Sequence, residues 1–183
     1  MPRKKRIWVF NHYYHIVSRG NRRDPLFLYT EDFEAFLHIL HQLHEKIPFE
    51  LASYCFMTNH YHLQLRSKEV PISKVMGLIN KRYSNYYNTK YCLTGHVFEK
   101  RYFDKVIVDK EGMLEVSRYI HQNPVKAKMV MLPEHYPWSS YHLYKNPYAT
   151  PPEFVNLNSI LDYYEGAEEE KRREYCQEDE SRR

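Results

Sequence analysis

The segment Met57-Thr58-Asn59-His60-Tyr61-His62-Leu63-Gln64-Leu65-Arg66 decides how this chain is read. From His60 onward polar and apolar residues alternate, the mark of a strand with one face buried. Side chains switch face at every residue and each residue adds roughly 3.3 Å, so His60 and His62 share a face with α-carbons about 6.6 Å apart. Two imidazoles so placed converge on one divalent metal. Tyr61, Leu63 and Leu65 point the other way and anchor the strand in a core. The pair alone equally describes two half-exposed surface histidines, the commoner occurrence of such a pattern.

Working outward, Phe49 to Met57 is β-rich and Thr58-Asn59 makes a tight connection, so the histidine strand is one arm of an antiparallel hairpin. Tyr13 to Ser18 predicts an earlier strand, stopped by the turn signals of Arg19-Gly20-Asn21-Arg22-Arg23, and Tyr102 to Val108 a later one. Helices fill the intervals. Thr30 is placed to cap one that starts at Glu31-Asp32 and ends before Pro48, with Phe33, Phe36, Leu37, Leu40 and Leu43 at helical spacing. His38, His41 and His44 on it drift around the helix without an acidic partner and read as solvated or capping histidines. Pro71 opens a second helix to about Tyr91 that carries Lys81 and Arg82; its tyrosines, Tyr83 and Tyr86 among them, read as packing residues, while an Arg82 and Tyr87 surface would also suit a nucleic-acid backbone. After a break at Leu93 to Arg101, a third helix runs from Lys110 until Pro124 stops it near Asn123. A short helix at Trp138 to Tyr141 and a last one from Asn158 to Tyr164 precede a Glu-rich end expected to be solvated or disordered. The pattern is α+β, a central antiparallel sheet with helices packed on it. Residues 1–145 form one domain headed by a basic arm over 1–12, and residues 146–183 a C-terminal extension, Pro-rich and then acidic, partly helical or disordered.

No apolar run approaches the roughly 20 residues needed to span a bilayer, and no long apolar segment follows the basic start, so a cytoplasmic location and no membrane partner are expected. Cys55, Cys92 and Cys176 are too scattered for a disulfide framework or a thiolate metal site and read as reduced, mostly structural thiols. Of the net charge of +4, residues 165–183 carry eight acids against five bases, which leaves +7 on the body. A basic body with 18 tyrosines favours a nucleic-acid partner, with cations on phosphates and rings available to bases. The candidate contacts are Arg3, Lys4, Lys5 and Arg6 of the arm, Arg19, Asn21, Arg22 and Arg23 of the first loop, and Lys81, Arg82 and Arg101.

On the third helix Tyr119 and Asn123 are four apart and share a face. Asn123 can offer an amide oxygen as a third, neutral ligand to a metal held by His60 and His62, which puts Tyr119 where a phosphate on that metal is attacked. A phenol, with a reference pKa of about 10, leaves more readily than a sugar hydroxyl, so a phosphotyrosine bond can be reversed.

The hairpin segment, Gly95-His96-Val97-Phe98-Glu99-Lys100-Arg101-Tyr102 and Arg118-Tyr119-Ile120-His121-Gln122-Asn123-Pro124-Val125-Lys126-Ala127 together resemble the successive signatures of the REP-associated tyrosine transposases. Tyr14 to Asn21 and Trp138 to Tyr141 are similar to that family's opening strand and closing motif, so the likeness spans about Pro2 to Tyr144. It implies the ferredoxin-like fold of the single-tyrosine HUH transposases, with helices on one face of the sheet. By the same resemblance His60, His62 and Asn123 hold Mg2+ or Mn2+, and Tyr119 is the nucleophile that cleaves hairpin-forming repetitive extragenic palindrome DNA through a 5′-phosphotyrosine. A monomer, nucleoid-associated, is implied as well. Asn123 stands where insertion-sequence relatives carry Gln, and Lys128 where a glycine is expected. Two readings of another class stay open: a non-catalytic binder of hairpin DNA or RNA, and an unrelated metal-dependent hydrolase.

Overall fold

In the computed structural model, which describes residues 8–181, the histidine hairpin lies in one four-stranded antiparallel sheet. Strands β1 (Tyr13–Arg19), β2 (Glu50–Met57), β3 (His60–Arg66) and β4 (Phe103–Ile107) are ordered β2-β3-β1-β4. The register sets Val17 and Cys55 opposite His62, Arg19 and Met57 opposite His60, His15 opposite Gln64, and Phe103 opposite Val17. Residues directly opposite in such a ladder share a face. One face therefore carries His15, Val17, Cys55, Met57, His60, His62 and Phe103, and the other Ile16, Phe56, Tyr61, Leu63 and Leu65.

Helices α1 (Thr30–His44) and α2 (Ile72–Lys90) cover the Tyr61 face. Phe36 of α1 sits 4.8 Å from the Tyr61 ring and 4.9 Å from Phe56, and 5.1 Å from Tyr83 of α2. Aromatic side chains of this kind bury roughly 150–250 Å² each, so this layer is the main hydrophobic store of the fold. The third helix, α3 (Lys110–Lys126), does not join them. It lies on the histidine face, so the expectation of helices on one face only is corrected. The reason is that this face is only partly polar: Cys55 and Met57 are buried with Ile120 of α3 and Tyr136, and Gln64 Nε2 donates to the Met113 carbonyl at 3.0 Å.

Four local expectations also change. Thr30 is not the cap of α1; the buried carboxylate of Asp32 accepts the Leu28 and Tyr29 backbone N–H groups at 2.8 and 3.0 Å and does that work. Pro124 does not stop α3, which runs to Lys126. A proline removes one donor, whereas the end is set further on, where Lys128 N–H bonds Val125 O and Met129 N–H bonds Pro124 O, the paired bonds of a Schellman motif. The acidic C-terminus is neither solvated throughout nor disordered over its described length: α6 (Glu168–Ser181) buries Arg172, Tyr175 and Cys176. With α4 (Tyr141–Lys145) and α5 (Asn158–Leu161, shorter than expected), it packs into the same core as the sheet. The chain just before α4, and again between α4 and α5, also seals the outer edge of β2. Phe56 N–H donates to Trp138 O, Ser140 N–H to Tyr54 O, and Leu51 N–H to Phe154 O. An unpaired edge would otherwise template aggregation. No helix among the described residues is long and apolar enough to cross a membrane. Cys55 and Cys176 are buried thiols as expected, while Cys92 is exposed.

Candidate active site

Period-two alternation delivers His60 and His62 side by side, ring centroids 5.0 Å apart. Beside them β1 contributes His15, which sequence reading missed: its Nε2 lies 3.1 Å from His62 Nδ1, with the rings stacked at 5.3 Å. From above, α3 lowers Tyr119 edge-on to both, 5.6 Å from the His15 centroid and 5.6 Å from that of His62. His60, His62 and Tyr119 line a cleft of about 300 Å³ whose walls also carry Arg19, Glu99, Lys100, Arg101 and Phe103. Three cations against one carboxylate suit an anionic polymer. A larger cavity, about 860 Å³, lies at the far end of the hairpin against Glu50, Arg66 and Lys68. There Glu50 already pairs with both cations, at 2.5 and 2.7 Å.

The back of α3 explains how Tyr119 comes to face the sheet. His121, fully buried, is held between the Tyr175 hydroxyl at 2.6 Å and Ser140 Oγ at 2.8 Å. Ser117 meets the same Tyr175 hydroxyl at 2.7 Å, and Arg118 donates to Tyr164 at 2.9 Å and pairs with Glu178. With Ser117, Arg118 and His121 committed to the C-terminal part of the chain, Tyr119 is left 42% exposed over the cleft, and Lys126 Nζ stands 5.2 Å from its ring centroid. The tyrosines of α2 and of the segment before β4 have no such access. Tyr83, Tyr87 and Tyr102 are buried, and the Tyr86 hydroxyl donates to Asp32 on the opposite side of the sheet.

All three histidines are neutral at neutral pH. Burial, followed by Arg19, lowers His60 to about 4. Burial and then Lys105 lower His15 to about 4. Burial, then His60, His15 and Arg19, hold His62 well below the usual imidazole range. Neutral imidazole is the ligating form. His60 Nδ1 is 2.8 Å from Asn59 Oδ1, an oxygen that can only accept, so its proton sits on Nδ1 and Nε2 keeps the lone pair. The Asn59 amide is itself fixed, its Nδ2 donating to Arg23 O at 3.2 Å. This donor set fits a divalent ion held loosely, two imidazoles in an open, electropositive cleft. Among the described residues no group of three or more His, Cys, Asp or Glu side chains could hold a metal ion, so any closed shell needs an amide, water or phosphate oxygen.

The structure thus brings together His60, His62, Tyr119, Arg19 and Arg101. Asn123 keeps its place one turn beyond Tyr119, and its Nδ2 donates to Tyr119 O at 2.7 Å, but it is not in the wall of the cleft. Asn21, Arg22 and Arg23 form a 3-10 turn next to the hairpin; Gly20 N–H bonds Asn59 O of the hairpin, and Asn21 N–H bonds Val97 O of the loop after α2. Lys81 and Arg82 ride on α2, on the other side of the sheet from the histidines. Arg3, Lys4, Lys5 and Arg6 lie outside the described residues. His15, Asn59, Lys100, Phe103 and Lys126 are the additions; of these only His15 and Asn59 touch the histidines directly, and both sit inside the motifs that carry the family resemblance.

Residues 8–123 match the family described as Transposase IS200 like. A Haemophilus influenzae protein named as a REP-associated tyrosine transposase is 24% identical over 143 residues, 72% of this chain and 79% of that protein. A solved structure of a REP-associated tyrosine transposase bound to a REP hairpin superposes with a TM-score of 0.68 at 19% identity, covering 85% of this chain and 92% of that one.

Proposed function

Because the chain belongs to the IS200-like transposase family, we propose that it is a metal-dependent single-strand DNA endonuclease and strand transferase acting on hairpin-forming, REP-like DNA as a monomer. The observation that carries the reading is the meeting of His60, His62 and an exposed Tyr119 in one basic cleft. The REP hairpin in the superposable relative supports the substrate class. Arg19, Lys100 and Arg101 draw the backbone in, and Phe103 offers a ring to an adjoining base. His60 and His62 would hold the divalent ion, Mg2+ or Mn2+, with Asn123 as a further ligand. When bound, the ion polarises a non-bridging phosphoryl oxygen and offsets charge in the transition state. Tyr119 Oη attacks the phosphorus, the bond to the 3′ oxygen breaks, and the products are a 5′-phosphotyrosine and a 3′-hydroxyl. The reverse attack by a 3′-hydroxyl joins strands and frees Tyr119.

Labelled hairpin single strands incubated with Mn2+ or Mg2+ should give a covalent band that survives denaturing electrophoresis. Tyr119→Phe, which removes one oxygen, should abolish the band and leave hairpin affinity within about threefold. A chelator should abolish it too without lowering the melting temperature, since a loosely held ion does not support folding as a structural zinc does. Products without attached protein would instead point to water as nucleophile.

A further inference from the structure

We propose that His15 is a positioning residue that fixes the orientation and tautomer of His62 as a metal ligand, an inference that rests on the metal-dependent reading above. The contact is a hydrogen bond between two imidazoles, His15 Nε2 and His62 Nδ1, at 3.1 Å. Between two neutral rings that bond holds one proton, and its placement decides what His62 shows the cleft. If His62 donates, its Nε2 presents a lone pair and can ligate. If His15 donates, His62 Nε2 carries the proton and cannot. Arg19, Lys100 and Arg101, which outnumber Glu99 in the cleft wall, favour the first arrangement, because a lone pair facing net positive charge is stabilised where an N–H is not. His15 is also braced. Its ring is stacked on His62, with the Tyr119 and Phe103 rings edge-on at 5.6 and 6.3 Å. It therefore plays for His62 the part that Asn59 Oδ1 plays for His60. Outer partners of this type orient the ring and raise ligand basicity, and losing one typically costs about 10–100-fold in metal affinity.

Two measurements test this, the first without metal. Nitrogen-15 imidazole spectra of the metal-free protein should show His62 as the Nδ1–H tautomer, and His15→Phe, which keeps the packing and removes the acceptor, should populate the Nε2–H form. Second, Mn2+ affinity in the presence of the hairpin should fall about 10–100-fold in His15→Phe. It should largely return in His15→Gln, whose amide oxygen can accept the same proton. Melting temperatures of the variants report folding separately, and the wild-type spectrum and the Gln variant decide the question even if His15→Phe folds poorly. A wild-type His62 in the Nε2–H form, or undiminished Mn2+ binding in folded His15→Phe, overturns the role of His15 alone. A wild type that binds no Mn2+ with or without hairpin overturns the metal-dependent reading, and this role with it.

Discussion

A histidine serves as a ligand only while one ring nitrogen keeps its lone pair aimed outward, and at His60 that condition depends on a neighbour in sequence. Asn59 accepts the Nδ1 proton at 2.8 Å and donates to Arg23 O at 3.2 Å, so one amide links His60 to the basic turn. Asn59→Ala should lower hairpin-dependent Mn2+ affinity by about 10–100-fold. Because Asn59 is partly exposed, stability should change by only about 1 kcal/mol. Calorimetric titration beside thermal melts checks both, and an unaltered affinity would show that Asn59 does not set His60. The pairing of His60 with His62 was legible because it is local, a two-residue period on a strand, whereas the approach of Tyr119 from a helix 57 positions further on is long-range and was expected only through the family resemblance. His15 was not legible. That it faces His62 follows from β1 pairing with β3 in one register, 47 positions apart, and a single slipped residue would have turned it to the opposite face.

At the scale of elements, the end of α3 and the first loop are where local rules and structure part. Lys128 adopts a φ of 57° at the left-handed position of the Schellman motif, where a Cβ is unfavourable by roughly 1–2 kcal/mol. Lys128→Gly should accordingly raise stability by about 1 kcal/mol in urea melts, the strain relief being partly offset by the freer unfolded chain. A loss of stability would mean that the lysine side chain contributes more than its backbone costs. The first loop is also strained, with Arg22 and Arg23 at φ of 55° and 66°, and Gly20 is required because a Cβ there would lie 2.1 Å from Asp24 O. A turn kept in this state with two exposed guanidinium groups is suited to backbone contact. Arg22→Ala with Arg23→Ala should flatten the salt dependence of hairpin binding by a log-log slope of roughly 0.7 for each phosphate that the turn neutralises. An unchanged slope would take the turn out of the interface. Strands and long helices were readable from periodicity and Pro124 was misread, because proline forbids a donor rather than a further turn, and what ended the helix was a hydrogen-bond pair invisible in composition.

Taken as a whole molecule, the fold is closed by its least legible part. Charge run and low apolar content hid α6, whose few buried side chains reach back across the chain to the helix of Tyr119, Tyr175 serving both Ser117 and His121. His121 is the joint of this assembly, and it titrates. Burial, followed by the nearby His142, lowers it to about 3, while an unfolded histidine takes up its proton near pH 6.5. Below that pH the unfolded chain binds the proton and the folded chain does not. The contribution of His121 to stability is thus complete above about pH 6.5 and is progressively lost as the pH falls toward 3, at no more than about 1.4 kcal/mol per pH unit for one group. His15 and His60, lowered to about 4, add to the same trend and remain in any His121 variant. His121→Gln, an uncharged side chain that can still donate and accept, should be less stable than wild type at pH 7.5, and the gap should narrow between pH 6.5 and 5. Urea melts across that interval measure it. Parallel pH profiles for the two proteins would show that His121 is not held neutral against Tyr175 and Ser140, and that α3 owes its placement over the histidines to its other contacts.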